Sequence, residues 1–474
     1  MRVTSGGRVP SRAVEAATSP GWIAARMSRL PGTASLWKLV ALLSLGGWFE
    51  FYDLFFTGYI APGLAKSGLL ISTTQSFLGF SGIGAFIAAT FAGLFIGTFF
   101  MGFLSDRFGR RFVFTWSLLW YTAATIVMAC QTSSPGVLLW RFIAGIGVGV
   151  EIITIDAYLT ELLPRHMRGR AFAFNQAVMF SSVPVVALLS WQFVPVAPLG
   201  MEGWRWVVLI GAAAAFVVWF VRRAVPESPL WLVQNGRGEE AERIVATLEA
   251  RIVRERGQPL PEPVPAPIPA KPVKSSPWEV LRPPYRSRLM MLVAFNLCQV
   301  IGYYGFANWV PSLLLAQGIG VTQSLAYSAV IALANPIGPL IGMSFADRVD
   351  RKWVIVGAAL TVAVVGTAFA QFTDATSLIV CGVLITLANN ILSFAYHAYQ
   401  VEVFPTGIRA RAGGIAYSSS RLGAMSSGFL IAFFLRRFGA TGALGLITAC
   451  MIAVIIVIGG FGPSRRELEM DPDH

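Results

Sequence analysis

The residues with the clearest chemical potential in this sequence are ionisable side chains inside long apolar segments. Glu50 and Asp53 are three positions apart, which would place both carboxylates on one face of a helix. Arg141 and Glu151 lie in a second apolar segment, and Arg421 lies in a third. A charge at the centre of a bilayer costs at least ~2.5–3.5 kcal/mol, so these residues predict a proton-binding or ligand-binding role.

Helix geometry places Asp53 and Arg141 at comparable depth. At ~1.5 Å per residue, Asp53 lies ~24 Å from the start of its predicted helix, and Arg141 lies ~8 Å from the start of an antiparallel one. We therefore expect an ion pair between Asp53 and Arg141, and a purely structural role is one interpretation of it. Glu50 and Glu151 fall near mid-depth and are the further proton-coupling candidates.

Polar side chains on predicted helices of the second half form a candidate cargo site. Amide and hydroxyl groups bind the hydroxyls or carboxylates of small metabolites. Arg421 has no acid within one turn of its own helix, which predicts either a partner on another helix or an anionic cargo. The predicted cargo-contacting residues are Tyr52, Asn296, Gln299, Tyr303, Asn308, Asn389, Asn390 and Arg421.

The composition explains what must position these side chains. Of 474 residues, 55% are hydrophobic and 13% are charged, about half the charged share of a soluble domain. The apolar residues form runs of roughly 20 or more, the length that crosses a ~30 Å hydrocarbon core. The net charge of +13 comes from basic residues between these runs, which indicates membrane topology rather than a nucleic-acid partner. The four cysteines lie in apolar runs without metal-ligand spacing, so neither a metal nor a cofactor is expected.

The runs predict an all-α membrane protein with twelve transmembrane helices in two six-helix bundles. The predicted helices are α1 37–61, α2 79–104, α3 112–131, α4 136–163, α5 170–194, α6 203–222, α7 288–315, α8 322–346, α9 353–372, α10 375–404, α11 409–434 and α12 439–462. The predicted organisation is a disordered cytoplasmic tail 1–36, bundles 37–222 and 288–462, a cytoplasmic linker 223–287 and a cytoplasmic tail 463–474. Within the linker, an apolar stripe at helical spacing predicts an amphipathic helix.

The two halves repeat at a fixed offset of 241 residues. The stretch Gly102-Phe-Leu-Ser-Asp106-Arg107-Phe-Gly109-Arg110-Arg111 is echoed by Asp347-Arg348-Val-Asp-Arg351-Lys352. At the same offset, a motif from Glu161 to Ala171 is echoed from Glu402 to Ala412, with identical Glu, Pro, Arg, Arg and Ala. Such internal repeats are typical of secondary transporters.

These motifs identify a family resemblance. The Gly102–Arg111 stretch resembles the signature loop of the major facilitator superfamily, and the run from Arg141 through Gly145, Gly147 and Gly149 is similar to that superfamily's helix-4 motif. Pro226-Glu-Ser-Pro-Leu-Trp-Leu232 resembles a sugar-porter motif, with Leu230 where that motif usually carries Arg. The second-half loop departs from the pattern, because Asp350 replaces its second glycine.

The resemblance implies alternating access, with a proton-coupling pair between the acid on α1 and the arginine on α4. It also implies a cytoplasmic gate in which arginines pair with acids when the inner face closes. The predicted gate residues are Gly102, Asp106, Arg107, Arg110, Glu161, Arg168, Asp347, Arg348, Arg351, Glu402 and Arg409. The expected partners are the lipid bilayer, a small-molecule substrate and protons. We expect a monomer in the plasma (bacterial inner) membrane, with both termini in the cytoplasm.

Several functions remain open at this point. A small organic anion is the preferred cargo because of Arg141 and Arg421, and a sugar or polyol is the alternative because of the Asn/Gln set. Drug export disagrees with the Pro226 motif and the acidic α1. An enzyme is not expected, since the sequence contains no His cluster, nucleophile motif or phosphate loop. A non-transporting nutrient sensor would need a long signalling tail, whereas the segment after residue 462 is short.

Overall fold

A computed structural model of the chain describes residues 19–70, 82–100, 103–222, 225–263, 279–283, 285–345, 349–404, 406–464 and 467. Twelve membrane helices follow one another in the order that the sequence predicts. Their bounds are α1 Ala34–Tyr59, α2 Ile83–Phe100, α3 Arg110–Ala129, α4 Ser134–Leu162, α5 Arg165–Phe180 with Ser182–Phe193, α6 Gly203–Arg222, α7 Tyr285–Ala307 with Val310–Ala316, α8 Val321–Ala332 with Ile337–Phe345, α9 Arg351–Phe369, α10 Ala375–Glu402, and α11 and α12 together Thr406–Phe461.

Hydropathy supports these crossings. Within the described ranges, nine helices are each long and apolar enough to cross a membrane, and the last of them, Ala412–Phe461, has the length of two crossings. Its two parts meet at Gly439, whose φ of 67° and ψ of −164° interrupt the helix. Ile83–Phe99 and Gly203–Phe216 are shorter apolar helices. Together these segments form the twelve predicted spans.

Shorter helices complete the described structure. The predicted linker stripe lies on Gly238–Arg256, where Ala241, Val245, Leu248 and Ile252 are buried. The other short helices are Pro20–Ser28, Ala61–Lys66, Phe103–Phe108 and Pro229–Gln234, with 3-10 turns at Pro198–Gly200 and Glu279–Leu281.

The prediction of a disordered segment over residues 1–36 is wrong for part of that range. Pro20–Ser28 is helical, and Ile23 and Met27 pack against buried residues of the linker helix. These two residues are four apart, a spacing that creates one apolar helix face. Residues 1–18 lie outside the described part of the chain.

The linker helix also caps α1. The Glu255 carboxylate accepts hydrogen bonds from the backbone N–H groups of Ala34 (2.6 Å) and Ser35 (3.2 Å). A carboxylate at a helix N-terminus satisfies free N–H groups and complements the helix dipole. The linker is therefore attached to the helix that carries Glu50 and Asp53.

Glycines bring the two halves together near one face of the protein. A Cβ at Gly58 would lie 2.2 Å from the Asn308 carbonyl oxygen, and a Cβ at Gly84 would lie 2.7 Å from the Gly428 carbonyl oxygen. Residues without a Cβ allow α1 to meet α7, and α2 to meet α11, at backbone contact. We call this the distal face. The other face, which carries the linker and the start of α1, is the basic face.

Candidate transport site

A buried ion pair between α1 and α4 is the chemical centre of the first half. Arg141 Nη1 donates to Asp53 Oδ2 at 2.8 Å, and Nη2 donates to the Asp53 backbone carbonyl at 2.8 Å. Arg141 Nε donates to Thr90 Oγ1 at 2.8 Å, and Thr125 Oγ1 donates to Asp53 Oδ1 at 3.0 Å. Arg141 has no exposed surface, and Asp53 is 4% exposed. The pair predicted from depth is thus present, with two hydroxyls as additional partners.

Helix packing explains why Arg141 reaches this position. A Cβ at Gly145 would lie 2.5 Å from the Thr90 carbonyl oxygen, and a Cβ at Gly93 would lie 2.2 Å from the Phe142 carbonyl oxygen. The glycines on α2 and α4 therefore allow direct backbone contact. This close approach places the Arg141 side chain beside Thr90 and within reach of α1.

The other predicted proton-coupling acids lie elsewhere. Glu151 is fully buried and accepts a hydrogen bond from Ser117 Oγ at 3.2 Å, so it joins α4 to α3. Glu50 is also fully buried, but its charge acts on Arg421 and Tyr417 of the second half. Among the contacts given for the described residues, Asp53 and Arg141 bond to each other, Glu151 bonds to Ser117, and Glu50 interacts with Arg421 of the second half.

Arg421 lies in a group of tyrosines from α7, α10 and α11. Its Nη2 donates to the hydroxyl of Tyr417, one turn earlier on the same helix. It also interacts electrostatically with Tyr304 and Tyr396. From the first half, the charges of Glu50 and Asp156 act on Arg421. Arg421 is thus a cation between the halves, surrounded by hydroxyl groups.

Two predicted cargo residues, Tyr303 and Asn390, form a hydrogen-bonded chain with Asn335 next to this group. The Tyr303 hydroxyl donates to Asn390 Oδ1 at 3.0 Å, and Asn390 Nδ2 donates to Asn335 Oδ1 at 3.2 Å. The side chain of Asn296 donates to the Leu292 carbonyl at 2.9 Å. The amide oxygens of Asn296, Gln299 and Asn389 are buried and have no hydrogen-bond partner among the described residues. These oxygens are available acceptors for a hydroxyl-bearing ligand.

Two predicted cargo residues lie away from this group. The Tyr52 hydroxyl donates to the Val207 carbonyl at 2.7 Å, inside the first bundle. Asn308 lies at the break between the two segments of α7, and its backbone meets Gly58 at the distal face. The cargo role predicted for Tyr52 disagrees with this placement, because its hydroxyl is engaged on the α6 side of α1.

The predicted gate contains an equivalent Arg–Glu ion pair in each half. Arg110 Nη2 lies 3.0 Å from Glu161 Oε1, and Arg110 Nη1 lies 2.5 Å from Asp106 Oδ1. In the second half, Arg351 pairs with Glu402. Arg351 and Glu402 lie 241 residues after Arg110 and Glu161, so the two Arg–Glu pairs are equivalent in the repeat.

The remaining gate residues differ in what the structure shows. Arg107 is exposed, with its guanidinium carbon 5.5 Å from the Phe108 ring centroid, and Arg168 Nε donates to the Leu163 carbonyl at 3.1 Å. Gly102, Asp347, Arg348 and the Arg409 side chain lie outside the described part of the structure.

Glu227, in the motif after α6, binds the signature loop. Its carboxylate accepts from the backbone N–H groups of Arg110 (3.0 Å) and Arg111 (3.1 Å) at the start of α3. The turn requires glycine, since Gly109 has φ 101° and a Cβ there would lie 2.4 Å from Glu227 Oε2. Glu227 thus fixes the linker to the turn that carries the Arg110 ion pairs.

Comparison with known proteins agrees with this architecture. The model of a family described as sugar (and other) transporter matches residues 39–469. The chain belongs to this family of the major facilitator superfamily. Its relatives are transporters, not enzymes.

Individual relatives extend over nearly the whole transporter. The niacin transporter NiaP of Acinetobacter baylyi is 28% identical over 452 residues, which are 94% of this chain and 99% of NiaP. The inner membrane metabolite transport protein YdjE of Escherichia coli is 25% identical over 461 residues, 95% of this chain and 97% of YdjE. A partially occluded inward open structure of the xylose transporter XylE from E. coli superposes with a TM-score of 0.73 at 18% identity, over 92% of this chain and 99% of XylE.

Sequence reasoning missed several polar partners in this transporter. Tyr417 precedes Arg421 by one helical turn and could have been identified from that spacing. Thr90 and Thr125 carry no charge, so only the packed structure shows that they contact Arg141 and Asp53.

Proposed function

We propose that this transporter couples inward proton movement to the uptake of a small organic anion by alternating access. The observation that carries the proposal is the fully buried Asp53–Arg141 pair, which lies within one half instead of bridging the two. A carboxylate whose charge is balanced by one buried arginine can change that balance by binding one proton. Such a site stores a proton without using the space between the halves.

The contacts of Arg141 indicate how the proton acts. Arg141 binds both the carboxylate and the backbone carbonyl of Asp53, so it fixes α1 against α4. Protonation of Asp53 neutralises the carboxylate and weakens the charge-assisted hydrogen bond from Nη1. The α1–α4 contact then weakens, and α1 also contributes Gly58 to the closed distal contact. Proton binding therefore favours a different arrangement of the halves.

Arg421 supports an anionic cargo. Arginine binds a carboxylate through two parallel N–H donors, and the surrounding tyrosine hydroxyls add further donors. The charges of Glu50 and Asp156 act on Arg421 in this structure, and a cargo carboxylate would compete with them. A niacin transporter among the relatives is consistent with a small acid as cargo.

A sugar or polyol is the second candidate. The free amide oxygens of Asn296, Gln299 and Asn389 favour it, because they would accept hydrogen bonds from cargo hydroxyls. Under this alternative, Arg421 serves only to bridge the halves through Glu50 and Asp156.

We further propose that the basic face is cytoplasmic, as the concentration of Lys and Arg in its segments predicts. The protein would then lie in a bacterial inner membrane and take up protons and cargo from the distal side. We propose that it acts as a monomer without a nucleic-acid partner, because each half carries its own gate pair and the cargo group forms within one chain.

Purified protein in liposomes tests the coupling. With an inward proton gradient, the wild type should accumulate labelled cargo, and a protonophore should abolish accumulation. Asp53→Asn should lose accumulation and retain exchange of internal for external cargo, because exchange needs no net proton movement. Glu151→Gln, at a second buried acid that bonds to Ser117, tests whether the coupling role belongs to Asp53 or to another predicted acid. Accumulation that ignores the gradient, or that survives in Asp53→Asn, would contradict the proposal.

The cargo class is tested by thermal unfolding of the purified protein with panels of small carboxylates and neutral sugars. A ligand at 100 times its Kd stabilises by about 2.7 kcal/mol, so even moderate binders shift the unfolding temperature. Stabilisation by carboxylates and not by sugars is expected. The opposite selectivity would establish the sugar candidate.

A further inference from the structure

A small cavity lies beside Asp53 within the first bundle. Its volume is about 10 Å³, the space of one water molecule. Residues of α1, α3 and α6 line it, including Asp53, Thr122, Thr125 and Ala212. The cavity lies on the side of α1 that faces α6 and is therefore separate from the space around Arg421.

One polar group in this cavity has no assigned function. The Thr122 hydroxyl is buried and has no hydrogen-bond partner among the described residues. Thr125 lies one turn further on the same face of α3, and its hydroxyl donates to Asp53 Oδ1. A buried hydroxyl is normally hydrogen-bonded to protein or to ordered water. A water in the cavity would provide that partner, and it would contact the carboxylate as well.

We propose that this cavity is a single-water site through which Asp53 exchanges its proton, with Thr122 and Thr125 as positioning residues. This inference rests on the proposed proton coupling. A hydronium ion reaching the site gives one proton to a carboxylate oxygen of Asp53 and becomes the bound water. Arg141 keeps its charge, and the reverse transfer returns the proton to the water.

The depth of the cavity favours access from the distal face. At ~1.5 Å per residue, Asp53 lies ~9 Å, Thr125 ~6 Å and Thr122 ~10 Å from the distal ends of their helices. The Phe56 ring, one turn nearer the distal end of α1, also lines the cavity and lies 4.6 Å from the Arg141 guanidinium carbon. The proton route proposed here therefore passes between α1, α3 and α6, whereas the cargo route passes between the halves.

The surroundings of Asp53 contain few alternative proton donors. The ionisable groups that face it are Arg141 from α4, Tyr121 from α3 and Tyr52 on its own helix. The Tyr52 hydroxyl already donates to Val207, and the cavity residues of α6 are all apolar. A neutral water held by threonine hydroxyls is thus the best-placed proton carrier.

Two pairs of variants test the water site in liposomes. Ala212→Leu fills the cavity, whereas Ala213→Leu adds the same side chain on the exposed side of α6. Thr122→Val removes the hydroxyl without changing the shape, and Thr115→Val makes the same change outside the cavity. Ala212→Leu and Thr122→Val should each lower proton-driven uptake about tenfold or more, as expected for loss of a proton-transfer step, while cargo exchange changes less than about twofold. The two control variants should behave as the wild type.

A spectroscopic readout separates proton positioning from general damage. The C=O stretching band of protonated Asp53, assigned by its loss in Asp53→Asn, should shift in Thr122→Val because the carboxyl loses its water. If the wild type shows coupling but Thr122→Val has normal uptake and an unchanged band, the water site is wrong and the proposed function stands. If the wild type ignores the proton gradient, the proposed function itself fails. If Ala212→Leu also loses cargo exchange, that variant has damaged transport in general. The result for Thr122→Val then decides whether the water site is correct.

Discussion

The two halves of this transporter agree at the basic face and differ in the middle of the membrane. Arg110 pairs with Glu161 in the first half, and Arg351 pairs with Glu402 at the equivalent positions of the second. Deeper in the bundle the equivalence ends. The position equivalent to Arg141, 241 residues later, is Gly382.

The residues that contact Arg141 and Gly382 also differ between the two halves. Arg141 bonds to Thr90 on α2, and the position equivalent to Thr90 is Ile331 on α8. A Cβ at Gly382 would lie 2.3 Å from Ile331 Cδ1, so an aliphatic contact fills the space that an arginine and a threonine occupy in the first half. The repeat therefore preserves the gate pairs but not the deeper polar groups, with the buried Asp53–Arg141 ion pair in the first half and amide and tyrosine groups in the second.

The largest expected effect on stability comes from removing Arg141, the buried cation that the second half lacks at the equivalent position. Arg141→Ala leaves the Asp53 carboxylate buried without its cation, which should destabilise the protein by about 3–5 kcal/mol. Thermal unfolding in detergent measures the loss, together with accumulation in liposomes. The double variant Asp53→Asn with Arg141→Gln should recover most of the stability and none of the accumulation. If the single and double variants are equally stable, an Asp53 carboxylate without Arg141 does not destabilise the protein.

Arg421→Ala should have the next largest effect. Loss of charge-assisted hydrogen bonds at ~1.5–3 kcal/mol corresponds to a roughly ten- to hundredfold weaker affinity for an anionic cargo. Arg421→Lys keeps the charge but not the two parallel donors, and should fall between the alanine variant and the wild type. Equilibrium binding of a carboxylate and of a neutral sugar gives the comparison. A similar loss for both ligands would remove the anion-specific role of Arg421.

The sequence predicted the Asp53–Arg141 pair because charged residues inside the membrane are few and helix rise alone fixes their depth. Rotation about the helix axis was not predictable in the same way. Helices such as α1 are apolar on nearly all sides, so no amphipathic face indicates which residues point towards the cargo. For this reason the sequence predicts a cargo contact for Tyr52, whose hydroxyl bonds to Val207, and gives no sign of the contact between Glu151 and Ser117.

The equivalent gate pairs should contribute unequally. The Arg110 and Glu161 side chains are 9% and 19% exposed, whereas those of Arg351 and Glu402 are 27% and 43% exposed. Glu161→Gln should therefore cost more, about 1.5–3 kcal/mol as for a buried charged hydrogen bond, than Glu402→Gln at about 0.2–1 kcal/mol. Thermal unfolding of the two variants at low and high salt measures this. A larger loss in Glu402→Gln would show that exposure does not rank the pairs.

The smallest effect concerns a contact of the first half at the basic face, between the Pro20–Ser28 helix and the linker helix. Arg26 pairs with Glu242 and Glu249, and Arg29 Nη2 lies 2.6 Å from Glu249 Oε1. Burial by itself would raise the pKa of Glu249, but hydrogen bonds from Arg26 and Arg29 outweigh it and lower the pKa below its usual value of 4.5.

A depressed carboxyl pKa stabilises the contact above the pKa of the unfolded state, and this stabilisation is lost as the pH falls through the folded pKa. Hydrogen exchange of Pro20–Ser28, corrected for intrinsic rates, should therefore be slow at pH 7 and faster below about pH 4. In Glu249→Gln, the segment should exchange quickly at both pH values, because the amide lacks the charge that Arg26 and Arg29 bind. Protection that does not change between pH 7 and about pH 3 in the wild type would show that apolar packing of Ile23 and Met27 holds this helix without the ion pairs.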